Sequence, residues 1–102
     1  MYFEQATIRT SSETYINIRK DLKKILIQMG ATKIQMKNSY YYFSGFCTLN
    51  SKILYFSCTD TREGDQRILF RYAKSYQDYK GEKNHLITFD EEKIKKLITR
   101  LK

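Results

Sequence analysis

The chain has 102 residues, of which 41% are hydrophobic and 29% are charged, and 19 Lys and Arg residues against 11 Asp and Glu residues give a net charge of +8. This length and composition fit a single domain over residues 1–102 and are too apolar for a disordered chain. No apolar run approaches the ~18 residues that span a bilayer, and the first residues lack a basic segment followed by an apolar one. We therefore expect a cytoplasmic protein with no membrane partner.

Residues 1–10 fit either a short edge strand, because their apolar residues share one parity, or a flexible arm. Residues 11–29 predict a helix, because their apolar side chains recur at spacings of three and four. The members of this stripe are Tyr15, Ile18, Leu22, Ile25, Leu26 and Met29. Gly30 follows the stripe at the position where helices commonly end on a left-handed residue.

Four segments rich in β-branched and aromatic residues follow the helix, and turn-forming residues separate them. We predict strands over residues 32–37, 40–49, 53–59 and 67–74. The connections between these segments are short, which favours antiparallel pairing of strands that are neighbours in sequence.

The last third of the chain combines a loop, a strand and a helix. Residues 75–84 predict a loop that is long for an antiparallel meander and is a candidate functional segment for that reason. Residues 85–89 predict a short strand, and Asp90 is a typical capping residue for a helix over residues 91–101. The apolar stripe of that helix consists of Ile94, Leu97, Ile98 and Leu101.

The order of helix, antiparallel strands and helix defines the fold class. Each helix has one apolar face to cover, and the simplest arrangement packs both helices on one face of the sheet. We therefore predict a two-layer α+β domain with an antiparallel meander of about three to five strands, whose other face is open to solvent or to a partner.

Cys47 and Cys58 lie on the two predicted strands that the turn at residues 50–52 joins. If Leu49 pairs with Ile53, Cys47 lies opposite Tyr55, and the two sulfurs are then about three residues out of register at ~3.3 Å per residue. That separation is too large for a disulfide, so we expect two buried thiols and a reducing compartment.

Basic and aromatic residues are interleaved along the predicted strands. Residues 14–57 contain seven basic residues and one acidic residue, and residues 93–102 contain five basic residues and no acidic one. Segregated positive charge attracts polyanions such as nucleic acid, although a solvated surface carries the same signal. Strand residues alternate between two faces, so the core cannot take every aromatic ring of residues 40–49, and exposed rings beside Arg can stack on unpaired bases.

These features predict a small nucleic-acid-binding module, with DNA and RNA and single and double strands all open as ligands. The predicted phosphate contacts are Lys20, Lys23, Lys24, Lys33, Lys37, Arg67 and Arg71. The predicted stacking residues are Tyr40, Tyr42 and Phe46. The sequence has no Gly-rich phosphate loop and no metal-spaced set of His and Cys, so we expect no metal and no cofactor.

The helices predict a second basic surface. If they lie side by side, the lysines of the first helix merge with the basic residues of the last helix into one positive face that suits phosphates. At the last helix, the basic residues that would contribute to this face are Lys95, Lys96, Arg100 and Lys102. The order of helix, strands and helix is similar to that of double-stranded-RNA-binding domains, which implies that the cluster at residues 93–96 contacts phosphate.

Two other classes of function remain open. A protein-interaction module, either a homodimer or an inhibitor of a host protein from a phage or mobile element, is favoured by the tyrosines and by an open edge strand. A small ribonuclease-like toxin would use His85 as general acid or base beside Tyr76, Asp78, Tyr79 and Lys83. A single histidine beside an apolar strand more often has a structural role, so we favour a protein without catalytic activity.

Overall fold

The computed structural model describes residues 16–38, 42–58, 66–80 and 82–102. A helix, α1, covers residues 16–28 and precedes five strands and a second helix. The strands are β1 (Thr32–Asn38), β2 (Phe43–Leu49), β3 (Lys52–Cys58), β4 (Arg67–Ala73) and β5 (His85–Thr88), and the second helix is α2 (Glu91–Leu101). The strand or arm predicted at residues 1–10 lies outside the described residues.

The five strands form one sheet in the order β1-β2-β3-β4-β5, and each pair of neighbours is antiparallel. The sheet is therefore the predicted meander. Because the order follows the chain, β1 and β5 lie at the two edges of the sheet that the described strands form.

Alternate residues of each strand lie on opposite faces of the sheet. Leu54 and Phe56 of β3 are buried on the face that carries the helices, together with Phe70 of β4. The intervening residues lie on the opposite face, which we call the open face. Tyr55 is one of them, and it pairs with Arg71 across β3 and β4.

Apolar side chains from both helices and the sheet form one buried cluster, which confirms the predicted two-layer α+β fold. The helical members of the cluster are Ile18, Leu22, Ile25 and Leu26 of α1 and Ile94, Leu97, Ile98 and Leu101 of α2. Burial of a large apolar side chain contributes ~1.5–3 kcal/mol relative to its exposure, so these two stripes hold the helices on the sheet.

The two helices lie over opposite halves of the sheet. Lys20 and Lys23 of α1 line a groove with Ile34 and Met36 of β1. In contrast, α2 lines a groove with Ile87 of β5. The outer flanks of the two helices therefore face opposite edges of the sheet.

The turn between β2 and β3 corrects the predicted register. Asn50 and Ser51 have φ angles of 51° and 67°, and positive φ at both central residues is what a two-residue type I′ hairpin turn requires. Leu49 therefore pairs with Lys52 and not with Ile53. The prediction was wrong by one residue because it assigned three residues to the turn.

The corrected register places Cys47 opposite Leu54 instead of Tyr55. Cys47 and Cys58 are nevertheless buried free thiols, as expected. Burial raises the pKa of the Cys47 thiol from 9.0 to about 12. This thiol stays protonated at neutral pH and is a poor nucleophile.

The capping of α2 agrees with the prediction. The Asp90 carboxylate accepts a hydrogen bond from the Lys93 amide at 3.0 Å, and Arg100 lies in the last turn, where a positive charge complements the helix dipole. At the same end, the Tyr72 hydroxyl of β4 donates to the Leu101 carbonyl at 2.8 Å. Over the residues that the structure describes, neither helix has the length and apolar character needed to cross a membrane.

Candidate nucleic-acid interface

The open face of the sheet is partly covered by residues 74–80, which we call the covering loop. The ring centroids of Tyr76 and Tyr79 in this loop lie 5.6 and 5.4 Å from that of Phe46 on β2. Tyr55 of β3 completes the cluster, 5.2 Å from Phe46 and 6.0 Å from Tyr79. The four rings form one aromatic layer over β2 and β3.

Arg71 holds the covering loop against the sheet. Its guanidinium donates to the carbonyl of Asp78 at 2.8 Å. The same group lies over the Tyr55 ring, 4.2 Å from the centroid, where the ring quadrupole attracts a cation. The Asp78 carboxylate accepts hydrogen bonds from the amides of Lys74 and Lys80, which close the loop on itself.

The Tyr76 hydroxyl ties the covering loop to β1 and β2. It donates to the Lys33 carbonyl at 2.9 Å, and with that proton committed it accepts from the Thr48 hydroxyl at 2.6 Å. Lys33 has a φ of 50° and lies where the register between β1 and β2 shifts. Bulges of this kind re-aim local groups, and this one places a main-chain carbonyl within reach of the loop.

Phe46 and Arg71 are buried, and their prediction as exposed contacts was wrong. Each residue is only 3% exposed. Strand alternation places both on the open face, but the covering loop lies over them. In this conformation the Phe46 ring cannot stack on a base, and the Arg71 guanidinium is engaged by protein groups instead of phosphate.

A cleft of about 190 Å³ remains between the covering loop and β1. Lys37 of β1, Ser44 of β2, and Tyr76 and Tyr79 of the loop are among the residues that line it. Tyr79 is 61% exposed. Its ring therefore offers an accessible surface beside a lysine while its other side packs on Phe46.

Four of the predicted phosphate contacts surround the β1 edge of the sheet, and we call them the β1-edge lysines. Lys33 and Lys37 are exposed on β1, and Lys20 and Lys23 are exposed on the neighbouring flank of α1. Residues 22–59 contain no Asp or Glu. The positive charge of this edge is therefore not neutralised by acidic residues of its own strands.

Two other predicted phosphate contacts lie elsewhere. Lys24 lines a groove with Asp90 and Glu91 at the start of α2, and their carboxylates oppose the approach of a phosphate. Arg67 is exposed on β4, three strand spacings or ~14 Å from β1. Neither residue belongs to the β1-edge surface.

The exposed tyrosines are not the same set as the stacking residues predicted from sequence. Tyr42 is 48% exposed just before β2 begins, and Tyr40 lies outside the described residues. Tyr79 was not among the stacking residues predicted from sequence. The available signal was a pair of tyrosines in a loop that is long for a meander.

The basic residues of the two helices do not merge into one face. Lys20 and Lys23 face β1, whereas Lys96 and Arg100 line the groove with Ile87 at the opposite edge. The prediction of a single positive helical surface was wrong because the helices cover opposite halves of the sheet.

The structure does not bring together the acid–base cluster predicted around His85. His85 pairs with the buried Phe70, which places its side chain on the helix-bearing face. Tyr76 and Tyr79 lie on the open face, with the sheet between them and His85. In the described ranges, no group of three or more His, Cys, Asp or Glu residues is placed to hold a metal ion.

Comparison of the chain with models of protein families, with curated proteins and with solved structures found no match in any of the three.

Proposed function

We propose that this protein binds single-stranded nucleic acid along the β1 edge, with the β1-edge lysines at phosphates and Tyr79 stacked on an unpaired base. The observation that carries the proposal is the cleft in which the exposed Tyr79 ring lies beside Lys37. A stacking ring next to a cation is the combination that binds unpaired bases and their backbone.

The β1-edge lysines supply the electrostatic part of the interaction. Phosphate contacts provide most of the sequence-independent affinity of proteins for nucleic acid, because each contact releases condensed counterions. Lys33 and Lys37 lie on the strand, and Lys20 and Lys23 lie on the helix flank beside it. A strand following this edge would meet lysines along its length.

The aromatic layer supports Tyr79 as a stacking surface. Its ring contacts Phe46 edge-on and Tyr55 in a T-shaped arrangement, so it is held in place before a base arrives. Preorganisation of this kind reduces the entropy lost on binding. Stacking of one base on an aromatic side chain contributes ~1–3 kcal/mol.

The exposed ring favours single strands over duplexes. Lysines alone would serve the phosphates of either form, but the bases of a duplex are already stacked and paired. Tyr79 contributes only if a base is unpaired, so its contribution distinguishes the two ligands.

The first experiment is fluorescence anisotropy with labelled single-stranded and duplex DNA and RNA of one sequence, repeated from ~50 to ~200 mM salt. We expect single strands to bind more tightly and affinity to fall steeply with salt. The double variant K33Q/K37Q is expected to reduce the salt slope by about 1.4 for single strands, since each phosphate contact contributes ~0.7. K93Q/K96Q is the matched control, because it has the same net charge but changes the opposite edge.

The second experiment tests the ring. Tyr79→Phe retains an aromatic surface and is expected to bind single strands within about twofold of the parent protein, whereas Tyr79→Leu is expected to bind about tenfold more weakly. Duplex binding should not differ between the two variants. Affinity that is independent of salt, or an equal effect of K33Q/K37Q and K93Q/K96Q, would contradict the proposal.

A further inference from the structure

The edge of the sheet opposite the proposed nucleic-acid surface has a different chemistry. The Phe89 amide donates to the Gln66 carbonyl at 2.9 Å, and inward- and outward-facing main-chain groups alternate along an antiparallel strand. The amides and carbonyls of Leu86 and Thr88 therefore point away from β4. No described strand pairs with them, and Leu86 is 49% exposed.

A groove of about 670 Å³ runs between this edge and the outer flank of α2. Ile87 of β5 and Leu97 of α2 provide its apolar lining. Lys93, Lys96 and Arg100 line the same groove and lie along one flank of the helix at spacings of three and four. No acidic residue is among the described residues that line it.

We propose that this groove binds an extended acidic segment of a partner protein, which adds to β5 as a further strand. The outward main-chain groups of Leu86 and Thr88 would supply the ladder hydrogen bonds, as in other complexes that extend a sheet edge. Side chains at alternate positions of the segment would point to the helix-bearing face, where an apolar one would pack on Ile87 and Leu97. Carboxylates at other positions on that same face of the segment would pair with Lys93, Lys96 and Arg100 of α2, which sets the sign of the charge that the partner must have.

Charge and main-chain chemistry favour this occupant over two others. In a β5-to-β5 dimer, two copies of the basic flank of α2 would face each other, and like charges in an interface cost several kcal/mol. Nucleic acid offers phosphates for the lysines, but it has no strand backbone for the Leu86 and Thr88 groups and no aliphatic side chains for the apolar lining. An acidic strand satisfies all three features of the groove.

The test uses a fluorescein-labelled hexapeptide of sequence Glu-Thr-Val-Thr-Glu-Thr, in which both Glu and the Val share one face of an extended strand. Anisotropy is the readout. We expect saturable binding that weakens about tenfold or more in K93Q/K96Q and stays unchanged in K33Q/K37Q. A peptide with Gln in place of Glu should bind the parent protein as weakly as the Glu peptide binds K93Q/K96Q. K33Q/K37Q changes only the β1 edge, and K93Q/K96Q changes only the groove beside β5. The peptide and the nucleic-acid measurements can therefore fail independently of each other.

The main-chain contribution needs its own test. Thr88→Pro removes an amide that points away from β4, so the ladder within the sheet is retained while the added strand loses a donor. A second measurement leaves the protein unchanged and removes donors from the peptide instead. It uses the same peptide with N-methyl groups on alternate backbone amides. We expect both changes to weaken binding about tenfold, and we expect the peptide to shift the Leu86 and Thr88 amide resonances.

Three outcomes would overturn the inference. The first is a peptide affinity that is changed neither by K93Q/K96Q nor by methylation of the peptide backbone. The second is displacement of the peptide by a single-stranded oligonucleotide that binds K33Q/K37Q normally, which would make the groove a nucleic-acid site. The third is a dimer in sedimentation that Thr88→Pro dissociates, which would make a second copy the occupant.

Discussion

Gly45 in the middle of β2 is required by its neighbours across the sheet. A Cβ atom there would overlap the Gln35 carbonyl of β1 and lie 2.8 Å from Cζ of Phe56. The first obstacle is main chain and cannot rotate away. The second belongs to a ring that is fully buried in the core.

We expect Gly45→Ala to lower the free energy of unfolding by about 3 kcal/mol or more, because the two strands must separate to admit the methyl group. Gly30→Ala is the comparison. Gly30 has a φ of 92° and open space around it, so its substitution should cost about 1 kcal/mol through backbone strain alone. Urea unfolding of the two variants measures both values, and equal losses would contradict the steric explanation.

The Cys47 thiol predicts a pH dependence of stability. Burial raises its pKa from 9.0 to about 12. Between these values the unfolded chain loses a proton that the folded protein keeps, so the unfolded state is favoured as pH rises. The contribution is fully present below pH 9 and is lost as the pH approaches 12.

We expect the difference in unfolding free energy between the parent protein and Cys47→Ala to shrink as pH rises from ~8 to ~11, since the variant lacks the titrating group. Urea unfolding across that range measures it, and the comparison cancels the titration of tyrosines and lysines common to both proteins. A difference that does not change with pH would show that the thiol titrates alike in both states.

At the scale of elements, the covering loop decides which part of the sheet is accessible. Arg71, which also lies over the Tyr55 ring, donates to the Asp78 carbonyl of the loop, and the Tyr76 hydroxyl of the loop donates to the Lys33 carbonyl of β1. Lys33 and Tyr55 are distant from the loop in sequence, whereas Arg71 lies just before it near the end of β4. The loop therefore depends on the sheet for its conformation.

We expect Arg71→Leu to release the loop and to destabilise the protein by about 1–3 kcal/mol, because the Asp78 carbonyl loses a charged donor. The amide of Lys80, which donates to the Asp78 carboxylate, should exchange its hydrogen faster. Arg67→Leu makes the same change at an exposed position of the same strand and serves as the control. Equal exchange rates in the two variants would show that Arg71 does not anchor the loop.

At the scale of the whole molecule, the net charge of +8 is divided between two edges. The β1-edge lysines lie on one side and the basic flank of α2 lies on the other. The ion pair between Lys95 and Glu91 is exposed and contributes little to stability. Repulsion among the basic residues is therefore expected to destabilise the folded state.

We expect Tm to rise between ~10 and ~100 mM NaCl, over which the Debye length falls from ~30 to ~10 Å and screens this repulsion. The rise should be smaller in K33Q/K37Q, which has fewer charges to screen. Thermal unfolding followed by circular dichroism measures both. A Tm that falls with salt would show instead that ion pairs dominate the electrostatics of the folded state.

Sequence patterns predicted the helices and strands well because each pattern depends on residues that are close together in the chain. The apolar stripe of α2 and its Asp90 cap depend on residues three or four apart, and both are confirmed. The register of the β2–β3 hairpin was wrong because it depends on the backbone angles of Asn50 and Ser51. A two-residue and a three-residue turn differ little in composition but shift every pair in the hairpin.

The candidate site was harder to predict than the fold, because exposure depends on what lies over a face. Lys33 and Lys37 are at the surface as predicted, because the covering loop contacts β1 without burying their side chains. Phe46 and Arg71 lie on the open face but beneath the covering loop. Strand parity fixes the face of a residue, whereas coverage requires a contact between distant parts of the chain.

The sequence by itself determined the class of fold, because the apolar periodicity of each element states how many faces it must bury. It also determined the excess of positive charge. The tertiary structure decided where that charge lies. The helices cover opposite halves of the sheet, so their basic flanks lie at opposite edges. The tertiary structure also decided that Tyr79 presents an exposed ring over the open face while Phe46 is buried, because only the folded chain brings the covering loop onto the sheet.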